Sequence, residues 1–138
     1  MAFTWPVRVY WEDTDAGGIV FYANYLKFFE RARTEWLRAL GHGQHELKTR
    51  TGGMFVVTHA ELRYLHPARL DDELLVTAAI HEHSRASLTV AQQALRPGAG
   101  TDGAPTLLCE ALIRIGWVGS DTLKPQRIPS TLLEQLSS

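Results

Sequence analysis

Hydrophobic positions along the chain follow two periods. Val7, Val9 and Trp11 alternate with Arg8, Tyr10 and Glu12, the two-residue repeat of a strand over Val7–Trp11. From about Ala23 the spacing lengthens. Tyr25, Phe28, Phe29, Ala32, Trp36, Leu37 and Leu40 recur at steps of three and four, with Lys27, Glu30, Arg31, Thr34, Glu35 and Arg38 on the other face. This predicts an amphipathic helix of roughly 17 residues, about 25 Å long. Gly41 is placed to stop it as the residue after the C-cap.

Gln44–Arg50 reads as a short second helix, and Thr51-Gly52-Gly53 breaks it. Four strand-like runs follow: Met54–Leu65, Leu74–His83, Ser87–Arg96 and a last one in which Cys109, Ala111, Ile113, Ile115 and Trp117 alternate with Glu110, Leu112 and Arg114. Pro67 biases His66 away from helix and marks His66–Asp72 as a turn. Ser84-Arg85-Ala86 is a tight connection, and Pro97–Pro105 is a hairpin loop expected to be mobile. Pro129 suits the first position of a terminal helix, Ser130–Leu136. Short links make antiparallel pairing the default, so the runs are expected to meander. The fold class is α+β: a curled antiparallel sheet of about five strands wrapped around one long helix.

Composition narrows the partners. At 138 residues the chain is expected to form a single domain over residues 1–138. A net charge of −1 gives no reason to expect nucleic acid or an anionic membrane. Cys109 is the only cysteine, which excludes an intrachain disulfide and a Cys-rich zinc site and fits a reducing compartment. No apolar run approaches the ~20 residues of a membrane span. Met1–Pro6 has no basic region followed by an apolar core, so no signal peptide is expected. The expected location is the cytoplasm.

Candidate chemistry concentrates between the first strand and the long helix, in Glu12-Asp13-Thr14-Asp15-Ala16-Gly17-Gly18-Ile19-Val20-Phe21-Tyr22-Ala23-Asn24-Tyr25. Such a join can set a carboxylate beside the unpaired N–H groups of a helix start, where a carbonyl can be attacked. Asp15 is the candidate catalytic carboxylate; the bland alternative for it is an Asx-turn or capping residue. Asp13 reads as structural, holding the loop. Gly17 and Gly18 serve the turn first, with close substrate approach second. Tyr10 can place an acyl group or simply pack. His81-x-His83 could put two metal ligands on one strand face, but no third is indicated, and solvated surface histidines are the simpler reading. His59 and His66 receive no role. Cys109 alternates with apolar residues and reads as core. No Gly-x-Ser-x-Gly elbow and no phosphate-cradling Gly-x-x-x-x-Gly-Lys occurs.

The run Val7-Arg8-Val9-Tyr10-Trp11-Glu12-Asp13-Thr14-Asp15-Ala16-Gly17-Gly18, with Tyr22-Ala23-Asn24-Tyr25 and Phe29-Glu30-Arg31-Ala32-Arg33-Thr34-Glu35, closely resembles the hotdog-fold acyl-CoA thioesterases. It looks most like the Tol–Pal-associated subgroup of the 4-hydroxybenzoyl-CoA thioesterase family. Tyr64 and Pro67-Ala68-Arg69-Leu70-Asp71-Asp72 continue the match, which covers roughly Pro6 to Pro129. The resemblance implies a cytoplasmic hydrolase of acyl-CoA or a related acyl thioester. It implies no metal and no bound cofactor, and active sites at the interfaces of a homodimer or homotetramer. The family's catalytic aspartate falls on Asp15, and its oxyanion-binding backbone N–H falls around Tyr22. Many Tol–Pal-type members carry histidine where this chain has Tyr22, so a mechanism needing an imidazole there does not operate.

With coenzyme A as substrate, something basic must meet its phosphates. Arg85 with Ser87 is the first candidate pair, and Arg63 and Arg69 come next. Gly18 and Tyr10 complete the expected substrate-binding set. The competing reading is a non-catalytic module on the same fold that binds an acyl thioester or an acyl carrier protein. A hotdog dehydratase is a third class, but its histidine-containing pattern is absent.

Overall fold

The computed structural model describes residues 2–98 and 103–138. In chain order it contains strand β1 (Phe3–Arg8), 3₁₀ turns at Trp11–Asp13 and Tyr22–Asn24, and helix α1 (Tyr25–Ala39). Helix α2 (Gln44–Thr51) and strands β2 (Gly53–Tyr64), β3 (Glu73–His83), β4 (Ser87–Arg96) and β5 (Thr106–Gly119) follow, and helix α3 (Ser130–Ser137) closes the order. The strands form one antiparallel sheet in the order β1-β3-β4-β5-β2. The α+β architecture with a curled five-stranded sheet and one long helix is the one expected.

The helix forms where the three-to-four spacing lies. Tyr25, Phe28, Phe29, Ala32 and Leu37 are buried, and they meet inward residues such as Val76, Val90 and Ile113 in one core. Burying a large apolar side chain stabilises by roughly 1.5–3 kcal/mol, so this stripe fixes the helix against the sheet. Its end is a Schellman motif: His42 N–H donates to Leu37 O at 2.8 Å, Gly41 N–H to Arg38 O at 3.0 Å, and Gly41 takes φ 92°. The helix is 15 residues long and starts at Tyr25, because a 3₁₀ turn occupies the three positions before it.

Three other expectations change. The first strand is Phe3–Arg8, not Val7–Trp11. The Asp13 carboxylate takes the Tyr10 N–H at 2.8 Å and turns the chain, leaving Trp11 80% exposed. Second, β2 and β3 do not form a hairpin: β2 pairs with β5 at one edge, while β3 lies between β1 and β4. Their link crosses the end of the sheet, with Leu65 and His66 N–H on Leu108 O and Arg96 on Pro67 O. Third, Pro129 is the cap before α3, at ψ 131°, and its carbonyl takes the Leu133 N–H. The connection from β4 to β5 is a hairpin as expected, closing at Arg96↔Thr106; residues 99–102 of the Pro97–Pro105 loop lie outside the described residues.

The two edge strands differ in character. β1 is six residues long and carries Pro6, whereas β2 is twelve residues long and, among the described residues, has a strand neighbour on one side only. A register shift between Val57 and His59 bulges β2 near its middle. Among the described residues no helix is long and apolar enough to cross a membrane.

Candidate active site

The Asp13–Asn24 segment is tied together by Asp13. Its side chain is buried, 3% exposed, with one oxygen on Tyr10 N–H and the other on Asn24 Nδ2 at 2.7 Å. Its carbonyl takes the Phe21 N–H at 2.9 Å. One residue therefore joins the exit of β1 to the entry of α1, and the loop between them has both ends fixed. The structural role expected of Asp13 is the one it has.

Asp15 stands on the surface of that loop. The loop closes as a small hairpin, with Thr14 bridged to Val20, Asp15 N–H on Ile19 O and Gly18 N–H on Asp15 O. Asp15 Oδ1 accepts the Gly17 N–H at 2.8 Å, an Asx turn. A side chain at Gly17 would bring a Cβ to 3.2 Å from that same oxygen, and Gly18 turns the chain at φ 79°. Both glycines thus shape the turn that presents Asp15. The other carboxylate oxygen has no partner among the described residues.

The first hydrogen bond of the second 3₁₀ turn is donated by Asn24, to Phe21 O at 2.8 Å. The N–H groups of Tyr22 and Ala23 lie ahead of it, as the first donors of any helical segment do. Beside them is a cavity of about 240 Å³ lined by Ile19, Val20, Tyr22, Tyr25, Tyr64 and Pro67, among others. Three tyrosine rings meet there edge to face: Tyr64 is 6.2 Å from Tyr22 and 5.7 Å from Tyr25. The Tyr64 hydroxyl donates to Tyr22 O at 3.0 Å, and Ala68 N–H donates to the Tyr25 hydroxyl at 3.3 Å. Burial raises both phenols above their ordinary value, so both stay neutral at physiological pH.

The other expected site residues are placed elsewhere. Tyr10 is 61% exposed and lines a separate hollow with Arg8, Trp11 and Leu70. Arg85 is exposed at the β3–β4 turn, where its carbonyl takes the Ile128 N–H. Ser87 Oγ is 2.7 Å from Ser84 Oγ and 3.5 Å from Arg114 Nη2, on the rim of an open groove of about 750 Å³ across the outer sheet face. Arg63 is paired with Glu110 on the outer face. The backbone of Arg69 bridges to Ile19, so this residue does lie beside the Asp15 loop. One chain does not bring Arg85 and Ser87 to Asp15. The loop adjoins the start of β3 through Asp71 N–H on Val9 O, the turn adjoins its end, and eleven extended residues span on the order of 30 Å.

His59 pairs with Glu61, and His81 and His83 are exposed. Among the described residues no group of three His, Cys, Asp or Glu side chains is arranged to hold a metal ion. Cys109 is fully buried in the core. Sequence reasoning assigned Tyr64 and Asn24 no role in the site. A tyrosine closing a strand just before the Pro67 turn is the only local signal for the first, and it does not reveal a contact 42 positions away.

Known proteins bear on this geometry. The profile of the Thioesterase-like superfamily matches residues 9–136. An acyl-CoA thioesterase, YbgC, of Haemophilus influenzae is 39% identical over 127 residues, covering 92% of this chain and 88% of that one. An acyl-CoA thioester hydrolase, YbgC, of Escherichia coli O6:H1 is 39% identical over 133 residues, 96% of this chain and 94% of its own. Among solved structures, a probable thioesterase from Bartonella henselae superposes with a TM-score of 0.82 at 32% identity, covering 94% of this chain and all (100%) of the other. A mutant 4-hydroxybenzoyl-CoA thioesterase in complex with 4-hydroxybenzoyl-CoA gives a TM-score of 0.90 at 21% identity over 99% of both chains, a likeness of fold. With a profile match over nearly its whole length and relatives at 39% identity, the chain belongs to the Thioesterase-like superfamily.

Proposed function

We propose that this protein hydrolyses acyl-CoA to the free acid and coenzyme A, with Asp15 as nucleophile or general base and the Tyr22 N–H as donor to the thioester oxygen. The observation that carries the reading is the Asp13 clamp, which fixes the turn bearing an exposed carboxylate, half-free among the described residues, to the helix entry whose Tyr22 and Ala23 amides precede the first hydrogen bond of the turn. In one course Asp15 attacks the carbonyl carbon, the C–S bond breaks, coenzyme A leaves as thiolate, and water hydrolyses the mixed anhydride. In the other, Asp15 takes a proton from a water that attacks directly. A thiol of pKa about 8.5 leaves without a strong general acid, so neither course calls on a histidine. Amides aimed at the developing oxyanion supply the remaining stabilisation, and one such donor is typically worth on the order of 10²–10³ in rate. Gly18 keeps the backbone beside the substrate slender.

The same reading makes the active unit a homodimer or homotetramer with interfacial sites, working in the cytoplasm. The separation of Asp15 from Arg85 and Ser87 supports it, as does the free edge of β2. Ser87, Gly116 and Val56 lie in one row across the sheet, and Tyr64, Cys109 and Ala94 lie in another near its far end. Antiparallel pairing of two β2 edges about a twofold axis lays the Val56 end of one against the Tyr64 end of the other. Arg85 and Ser87 of the partner subunit then face the phosphates of a coenzyme A whose thioester lies at Asp15, and Tyr10 flanks the entrance. An acyl group on an acyl carrier protein reaches the same carboxylate.

Thiol release over a panel of short, long and aromatic acyl-CoAs tests the assignment. At least one is expected to turn over, and Asp15→Asn is expected to lower kcat by roughly 10²–10⁴ with the fold retained. No turnover on any chain length would transfer the protein to the binding-module reading, and wild-type rates in Asp15→Asn would remove Asp15 from the mechanism. In single-turnover hydrolysis in ¹⁸O-water, label in the Asp15 carboxylate identifies the anhydride course opened by water at the aspartyl carbonyl.

A further inference from the structure

Tyr64 lies at the end of β2, 42 positions from Tyr22, yet its hydroxyl donates to the Tyr22 carbonyl at 3.0 Å. That carbonyl belongs to the peptide group whose N–H is Ala23's. A hydrogen bond accepted by an amide oxygen polarises the amide and strengthens its N–H as a donor. It also adds a second restraint on that peptide plane, which is otherwise held by the Asn24 N–H to Phe21 O hydrogen bond that closes the turn around it. The ring is steadied from two sides, edge to face against Tyr22 and Tyr25, and all three rings line the 240 Å³ cavity beside the turn.

We infer that Tyr64 is a positioning residue for the oxyanion donors, acting through the Tyr22 carbonyl, and that the Ala23 N–H is a second such donor beside that of Tyr22. Asp13 holds the turn from either side by accepting from Phe21 N–H and Asn24 Nδ2, and the Tyr22–Ala23 peptide between them receives its side-chain restraint from Tyr64. The inference rests on the thioesterase reading of this site. Its effect belongs to the transition state, because the negative oxygen forms only there.

Y64F keeps the ring and deletes the donor. With the acyl-CoA that wild type turns over best, Y64F is expected to lower kcat roughly three- to tenfold, the worth of one ordinary hydrogen bond. KM should stay within about twofold, since the loss is specific to the transition state. The thermal midpoint should stay within about 3 °C. The readout that a structural role would not move is the carbonyl stretch of a bound ketone analogue, in which CH₂ replaces the thioester sulfur. Binding to wild type is expected to lower its frequency, and binding to Y64F to lower it less.

Wild-type kcat in Y64F, a loss confined to KM, or an unchanged carbonyl frequency would each overturn the proposal. If Y64F does not fold, Tyr64→3,5-difluorotyrosine, with its more acidic phenol, takes its place. It is expected to add a descending limb to kcat as pH rises through the lowered phenol pKa, and a flat profile there overturns the proposal. A wild type that hydrolyses no acyl-CoA overturns the thioesterase reading and this inference together, whereas an active wild type with an unaffected Y64F overturns this inference alone.

Discussion

Asp13 and Asp15 are two positions apart, and their environments separate their roles. Asp13 is buried with both oxygens on protein donors, whereas Asp15 is exposed with one oxygen in a local turn. In the sequence motif Asp13 reads as structural and Asp15 as the candidate for chemistry, but the partners that hold Asp13 inside are not evident there: Tyr10 and Asn24, which approach it from opposite ends of the loop. Cys109 is the clearest residue-scale case of an expectation read correctly, since its alternation with apolar residues put it in the core, where it lies. Burial pushes its thiol from 9.0 up to about 12, with Glu110 adding to the rise. Because the folded value is raised, the stabilisation linked to this group is complete below about pH 9. It is lost as pH climbs from there toward 12, where the unfolded chain releases the proton first. At pH 8 an aromatic disulfide reagent is expected to label Cys109 only through opening of the fold, at a rate that rises with added urea. Rapid labelling without denaturant, at the rate of a free thiol, would place Cys109 at the surface.

At the scale of elements, α1 is held to the sheet by more than its apolar stripe. Gln92, 1% exposed on the inner face of β4, donates to Phe29 O at 3.0 Å and Thr77 O at 3.1 Å and accepts from Arg33 Nη1 at 2.9 Å. Burial lowers the pKa of the Arg33 guanidinium, and Glu30 offsets part of that. Gln92→Met fills the space but leaves the Arg33 guanidinium without its Gln92 acceptor and removes both bonds of the Gln92 amide. It is expected to cost about 2–3 kcal/mol in urea unfolding at an unchanged m-value, and a change below about 0.5 kcal/mol would show that the network contributes no net stability. The long helix α1 and most strands were legible because each keeps one period over ten or more residues. β1 and the β2–β3 link were not. Residues Phe3–Pro6 are extended because they pair with β3, and Trp11 leaves the strand pattern because a side chain two positions on bends the backbone. No local rule distinguishes a hairpin turn at Pro67 from a crossing held by Leu108 and Arg96.

On the scale of the whole molecule, the sheet separates the residues proposed for the reaction. Asp15 and Tyr22 lie toward one end of it, and Arg85 and Ser87 at the other. Linear order hides this, since the spacing of residues 15 and 85 says nothing about which ends of the strands they occupy. If two copies join through β2, Val57→Lys, at a residue 55% exposed on that strand, sets like charges close together across the join. The variant is expected to sediment as a monomer and to lose at least about tenfold in kcat/KM. A monomeric wild type with full activity would end the interfacial reading.

The two margins of the sheet are not equivalent. β1 is short and interrupted by Pro6, which offers no N–H, while β2 is long and open. A sheet with a single receptive margin can be extended only once, because the added copy spends its own receptive margin in the union. Two such chains joined through β2 leave only their short, Pro6-bearing β1 edges at the outer margins. Pairing of the proposed kind would therefore also work against open-ended polymerisation into fibres.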